Sequence, residues 1–250
     1  MSEVVGIQAV RAALRETPEL ARSLFILVGR RDARVNELID LAKRAGVRHQ
    51  SVEAAWFRRR AGGVAHQGVL LECQARALGK EHDLQTWLDA LDAPALILVL
   101  DGVTDPRNFG ACLRSASGAG VDVVIVPKRN SAPLSQVALK TAQGGAEDVL
   151  IFEVTNLART LRALAQRGVW IVGTDDEESV SYLDLDSGRI GTLALVMGSE
   201  DKGLRRLTKT LCDQLVHIPM AGGVSSLNVS VATAVVLYEI RRQQAATRLN

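Results

Sequence analysis

"ALILVLDGVTDPRNFGACLRSASGAGVDVVIV", residues 95–126, reads as strand, turn, helix and strand. Its two apolar runs, "ALILVL" and "VDVVIV", do not alternate with polar residues. Both faces of each strand must therefore be covered, as in a parallel sheet. The pattern recurs in "DVLIFEV", "VWIVGT", "TLALVM" and "QLVHIP", with helical segments between most of them and a long one after the last. A mostly parallel α/β sheet is predicted from Pro94 to the C-terminus.

Upstream the rhythm differs. "VGIQAVRAALRE" has helical periodicity and stops at Thr17-Pro18, and "SLFILVG" is an apolar strand closed by Gly29. "DARVNELIDLAKRAG" is an amphipathic helix with Asp32 as N-cap and Gly46 as its stop. A strand near 47–51, a short helix near 53–60 and "GVLLEC" (68–73) complete a small α/β unit. The organisation expected is a first domain over 1–76, a linker with one exposed helix over 77–93, and a second domain over 94–250. The acidic stretch "DDEESVSYLDLD" (175–186) reads as a solvated loop.

The chain of 250 residues, 47% hydrophobic, is long enough to bury a sizeable core. Cys73, Cys112 and Cys212 are odd in number and far apart, so no disulfide framework is expected. The four histidines show no ligand spacing, so no structural or catalytic metal is expected either. No apolar run approaches a membrane span, and the expected setting is cytoplasmic. The net charge of +2 hides an asymmetry: residues 1–78 carry 13 Lys/Arg against 8 Asp/Glu, the remainder 17 against 20. A polyanion gripped by the first domain accounts for this, and so do solvated helix faces with spare arginines.

Ligands of open parallel sheets bind at the carboxyl ends of the strands. Three such ends are rich in polar residues and glycine. In "LDGVTDPRNFGACLRSASGAG" (100–120), Asp105-Pro106 sets a turn and Asn108 is placed to cap the helix. That helix is small-sided enough for another backbone to come close, leaving Arg114 to project. "VMGSEDKGL" (196–204) follows a strand with Gly198 and Glu200. "IPMAGGVSSLNVSVA" (218–232) offers two glycines for close folding around a ligand, then Ser226 and Asn228. No GxGxxG follows the first strand and no GxxxxGK[ST] is present, which argues against NAD and ATP folds.

"DPRNFGACLRSASGAG", "MGSEDKGL" and "IPMAGGVSSLNVSVATAVVLYE" resemble, in order, the three motifs of the SpoU group of SPOUT RNA 2′-O-ribose methyltransferases, over roughly residues 94–245. The first domain, with "GIQAV" and "GGVAHQGVLLE", is similar to the L30e-like substrate-binding domain often fused to them. The resemblance implies a SPOUT domain with a C-terminal trefoil knot, S-adenosylmethionine as methyl donor, and a homodimer. It implies rRNA as partner, with a guanosine of 23S rRNA as target. Another rRNA site, a tRNA, or a non-catalytic ribosome-assembly role are the alternatives.

By the same resemblance Arg114, Asn108, Glu200, Ser226 and Asn228 are catalytic, and Gly198, Ile218 and Leu227, with Met197 and Met220 nearby, hold the donor. Helix capping remains a second account of Ser226 and Asn228, and an orienting ion pair a second account of Glu200. Arg114 reads as a cation holding the oxyanion or a phosphate, because a guanidinium titrates above about pH 12 and makes a poor base. RNA contact is expected from Arg30, Arg31, Arg34, Arg58, Arg59 and Arg60. His66 and Gln67 suit either RNA contact or, more simply, turn stabilisation. The apolar face of "VSVATAVVLYEI" suits either a dimer interface or the chain's own core.

Overall fold

A computed structural model describes residues 2–30, 32–60, 66–74, 78–176, 180–186 and 191–248, in two units, Met1–Ala77 and Leu78–Asn250. The first contains β1 (Ser2–Val5), α1 (Ile7–Glu16), β2 (Ala21–Leu27), α2 (Ala33–Arg44), β3 (Arg48–Val52), α3 (Ala54–Arg60) and β4 (Val69–Cys73), with sheet order β1-β4-β2-β3. Strand β1, antiparallel to β4, is absent from the sequence reading. It is four residues long and passes directly into α1 at Gly6, whose φ of 95° a side chain would resist. Asp32 caps α2 by accepting from the Arg34 and Val35 amides at 3.2 and 3.3 Å, and Gly46 follows it at φ 69°. Val10, Leu14, Val35 and Leu38 belong to one core cluster, while Phe25, Phe57 and Leu70 form a second with Trp56.

The second unit begins with β5 (Gly79–Lys80) and α4 (Glu81–Asp89). It continues through β6 (Leu96–Leu100), α5 (Pro106–Gly118), β7 (Val123–Pro127), α6 (Gln136–Ala142), α7 (Gly145–Asp148), β8 (Leu150–Val154), α8 (Leu157–Gln166) and β9 (Trp170–Thr174). It ends with β10 (Leu193–Met197), α9 (Arg206–Lys209), β11 (Gln214–Val216) and α10 (Val229–Arg248). The strands form one sheet in the order β11-β9-β10-β6-β7-β8-β5, every pair parallel. Strands β6, β7 and β10 are buried at every position. Successive residues feed opposite faces: Leu96, Leu98 and Leu100 enter one cluster, Ile97 and Val99 the other.

Two expectations are corrected here. Residues 78–89 are part of the second unit, not a linker: Gly79 pairs with Phe152, and α4 buries Leu84 and Leu88 against the sheet. That i, i+4 pair is the apolar stripe of an otherwise polar helix. Residues 180–186 are more than a solvated loop, since Leu185 is buried, Val180 and Tyr182 pack on the core and Ser181 bridges His217. The acids of that stretch mask three apolar anchors interleaved with them.

The small side chains of α5 have the expected consequence. A Cβ on Gly110 would overlap the Ala138 carbonyl, and one on Gly145 would lie 2.9 Å from Arg114 Cα, so α6 and α7 lie directly on α5. At the sheet centre β6 and β10 are neighbours, and chain order reverses between them. The crevice at their carboxyl ends is where such sheets bind ligands. No helix among the described residues is long and apolar enough to cross a membrane.

Candidate active site

Helix α5 is capped by Asp105, which accepts from the Arg107 amide at 2.7 Å with Pro106 in the first turn. The cap is therefore not Asn108, as expected from sequence. An Asp-Pro pair at Ncap and N1 was the available signal. Freed from capping, Asn108 donates through Nδ2 to Glu200 Oε1 at 2.8 Å, reaching from the first turn of α5 to the loop after β10.

The third loop closes the ring. Asn228 Nδ2 donates to the same Glu200 oxygen and to Asn108 Oδ1 at 3.2 Å, and the Val229 amide reaches Glu200 Oε1 at 3.4 Å. Asn228 Oδ1 accepts from Ser230 N at 3.0 Å and Ser230 Oγ at 2.6 Å, so Asn228 also caps α10. Capping and the polar ring thus use opposite ends of one amide. Three donors on one carboxylate oxygen fix an anion at the mouth of the crevice.

Beside the ring, Gly198 packs so closely that a Cβ would overlap the Gly203 carbonyl carbon and the Leu204 nitrogen. The intervening turn is tight, with Ser199 N to Gly203 O at 3.1 Å and Gly203 N to Ser199 O at 2.9 Å. Met197 is buried, its sulfur accepting from Thr174 Oγ1 at 3.8 Å. Ile218 packs against the core, Met220 and Leu227 are half-buried, and residues 221–226 are exposed. Gly222 and Gly223 differ from expectation, since a Cβ on either would meet nothing within 4 Å.

The polar ring does not include Arg114 or Ser226. Ser226 lies in the exposed stretch before Leu227. Arg114 is exposed on another face of α5, at a cavity of about 430 Å³ lined also by Ser117, Gln143, Asp148 and Tyr238. Among the described residues its guanidinium has no hydrogen-bond or ion-pair partner.

The arginines of the first unit divide in the same way. Arg30 pairs with Asp32, whose carboxyl it holds below the usual range, and bonds the Gln67 carbonyl. Arg60 is held by Glu3 and Glu72 over the Trp56 ring, and its guanidinium is pushed further up, chiefly by Glu3. Arg34, Arg58 and Arg59 are exposed, while Arg31 lies outside the described residues. His66 and Gln67 serve the fold: His66 Nδ1 accepts from Gly68 N at 3.0 Å and the ring stacks on Phe57, and Gln67 Oε1 accepts from Ile7 N at 3.0 Å. Burial pushes the Cys112 and Cys212 thiols up to about 12, and Cys73 to about 11, so none offers a thiolate nucleophile at neutral pH.

A polar ring drawn from the segments that follow β6, β10 and β11 of a parallel sheet, with a small α/β unit earlier in the chain, corresponds to known proteins. The model of the SpoU rRNA Methylase family matches residues 95–238. The chain belongs to the SpoU family. A second model, RNA 2′-O ribose methyltransferase substrate binding, matches residues 4–78 of this SpoU chain. The 23S rRNA (guanosine-2′-O-)-methyltransferase RlmB of Yersinia pestis is 49% identical over 98% of both chains. That of Escherichia coli K12 is 48% identical over 98% of this chain and all of its own. The SpoU methyltransferase AviRb from Streptomyces viridochromogenes, solved in complex with AdoMet, superposes with a TM-score of 0.69 at 23% identity, covering 98% of this chain and 90% of that one.

Proposed function

We propose that this SpoU protein methylates the ribose 2′-oxygen of a guanosine in 23S rRNA, with S-adenosylmethionine as donor. The observation that carries the reading is the ring of Asn108, Glu200 and Asn228, drawn from all three motif loops, in a chain similar along its whole length to two such enzymes.

The residues after β10 fit the donor. The Gly198 turn keeps backbone groups free of side-chain bulk, and half-buried Ile218, Met220 and Leu227 offer apolar walls to an adenosine. When bound, S-adenosylmethionine supplies a methyl group on a positively charged sulfur. A 2′-hydroxyl attacks it poorly at neutral pH, so the protein must relieve the developing negative charge on oxygen. Arg114 is the residue for this, as a fixed cation and not a base. Glu200 orients Asn108 and Asn228, because its Oε1 already accepts three donors. Ser226, on the exposed stretch beside the ring, lines the entrance for the ribose.

Arg114 stands outside the ring of its own chain, and this supports a homodimer in which each guanidinium serves the partner's ring. Val231, Ala234, Val235 and Tyr238 form an apolar stripe on the side of α10 away from its buried residues Val229, Val236, Leu237 and Ile240, and Tyr238 shares the Arg114 cavity. The region after β10 is proposed to be knotted as in SPOUT proteins, the first unit to hold the rRNA through Arg34, Arg58 and Arg59, and the setting to be the cytoplasm.

The test is methylation of 23S rRNA stripped of 2′-O-methyl marks, using radiolabelled donor. One labelled guanosine is expected, and label confined to a base, or to tRNA, overturns the reading. Mixing Arg114→Ala with Asn228→Ala chains should restore part of the activity that each alone lacks.

A further inference from the structure

We propose that Asp101 is a positioning residue for the methyl donor, acting through Arg205 and Thr208 on the exit of the loop that carries Gly198 and Glu200. The inference rests on the reading above that this loop holds S-adenosylmethionine.

The Asp101 side chain, one residue beyond β6, is fully buried. Its Oδ2 accepts from Thr208 Oγ1 at 2.6 Å in the interior. Its Oδ1 faces the half-exposed Arg205 guanidinium in an ion pair without an aligned hydrogen bond. Its amide donates to the Met197 carbonyl at 2.7 Å, at the end of β10. A carboxylate taken wholly out of water is retained only where its partners are held in place. Here those partners are the residue that opens α9 and a residue within it.

The loop enters at Gly198 and leaves at Leu204, and these ends touch, since Gly198 has no room for a Cβ beside Gly203 and Leu204. Asp101 grips the chain at Arg205, the next residue, and again at Thr208. Glu200 has anchors of its own in Asn108, Asn228 and Val229. Loosening the Asp101 clamp therefore releases the Gly198–Leu204 contact first and leaves the catalytic ring assembled. The clamp governs donor affinity more than turnover.

The experiment measures S-adenosylmethionine binding by calorimetry, together with KM and kcat on rRNA, for Asp101→Asn, Arg205→Ala, Arg205→Lys and Gly198→Ala. Asp101→Asn and Arg205→Ala are expected to raise the donor Kd and KM about tenfold while kcat at saturating donor falls less than about threefold. Arg205→Lys, which keeps the charge, should recover most of the affinity. The Arg205 side chain is half exposed, so water can reach the place it vacates, and Arg205→Lys keeps a cation beside Asp101 where the alanine variant fails to fold. A folded Arg205→Ala enzyme with donor Kd within about twofold of wild type, or with kcat lowered at unchanged KM, overturns the proposal. If Gly198→Ala also binds the donor normally, the loop reading itself fails. If only Gly198→Ala loses binding, the clamp alone fails.

Discussion

Asn108 and Arg114 stand six residues apart on one helix and meet opposite surroundings. Asn108 is tied into a hydrogen-bonded ring that joins three loops, whereas Arg114 is exposed beside a cavity with no partner among the described residues. Six residues turn a helix by about 240° and advance it about 9 Å, so the two side chains cannot face the same way. One chain thus satisfies the polar groups that shape its site and leaves the cation unspent.

The contrast breaks most directly at Arg114. Arg114→Ala should lower methyl transfer by about 10³-fold, the scale of losing one charge stabiliser, with donor binding retained. Equal loss of donor binding would make the arginine structural. Asn228→Ala acts on the other side of the contrast. Losing the cap and one of the three donors to Glu200 should destabilise the protein by about 1–3 kcal/mol as well as impairing activity, read as a fall in denaturation midpoint.

A smaller effect separates the arginines of the first unit. Arg58→Ala and Arg59→Ala should each flatten the plot of log affinity for rRNA against log salt by about one contact's worth. Arg60→Ala, whose side chain is engaged by Glu3 and Glu72, should leave that slope alone and lower stability. Matching slopes in all three variants would erase the distinction between bonded and free cations.

The last effect is absent near neutral pH and appears only in alkaline solution. Cys112 and Cys212 have native thiols held near 12 against an ordinary value near 9.0, so the folded state keeps protons that the unfolded chain releases. Their stabilising contribution is complete below about pH 9 and declines as pH rises toward 12. The melting temperature should fall over that window, and less steeply in Cys112→Ala; an unchanged slope would remove burial as the cause.

Local pattern reached far into this molecule. The apolar runs of β6 to β11, the Asp32 cap and the stop at Gly46 were all legible, because each depends on a few consecutive residues. Strand β1 was not, since four residues carry too little period, nor was β5, whose two residues are a strand only because β8 lies beside them. Asn108, Glu200 and Asn228 were named as site residues from their motifs, yet their meeting on one carboxylate oxygen spans separations of 92 and 28 residues. Asp101 is not legible in the sequence, because an acid after an apolar strand looks like any loop residue, and only the fold buries it.

Covalent order alone settles most of the segments that become strands and helices and which side chains are chemically able to bind or transfer charge, since propensity and pattern act over one or two turns. Folding in three dimensions settles which of those groups touch. The partners of Glu200, the concealment of Asp101 and the isolation of Arg114 arise from strand order and close backbone approach, which bring together residues that no stretch of chain has side by side.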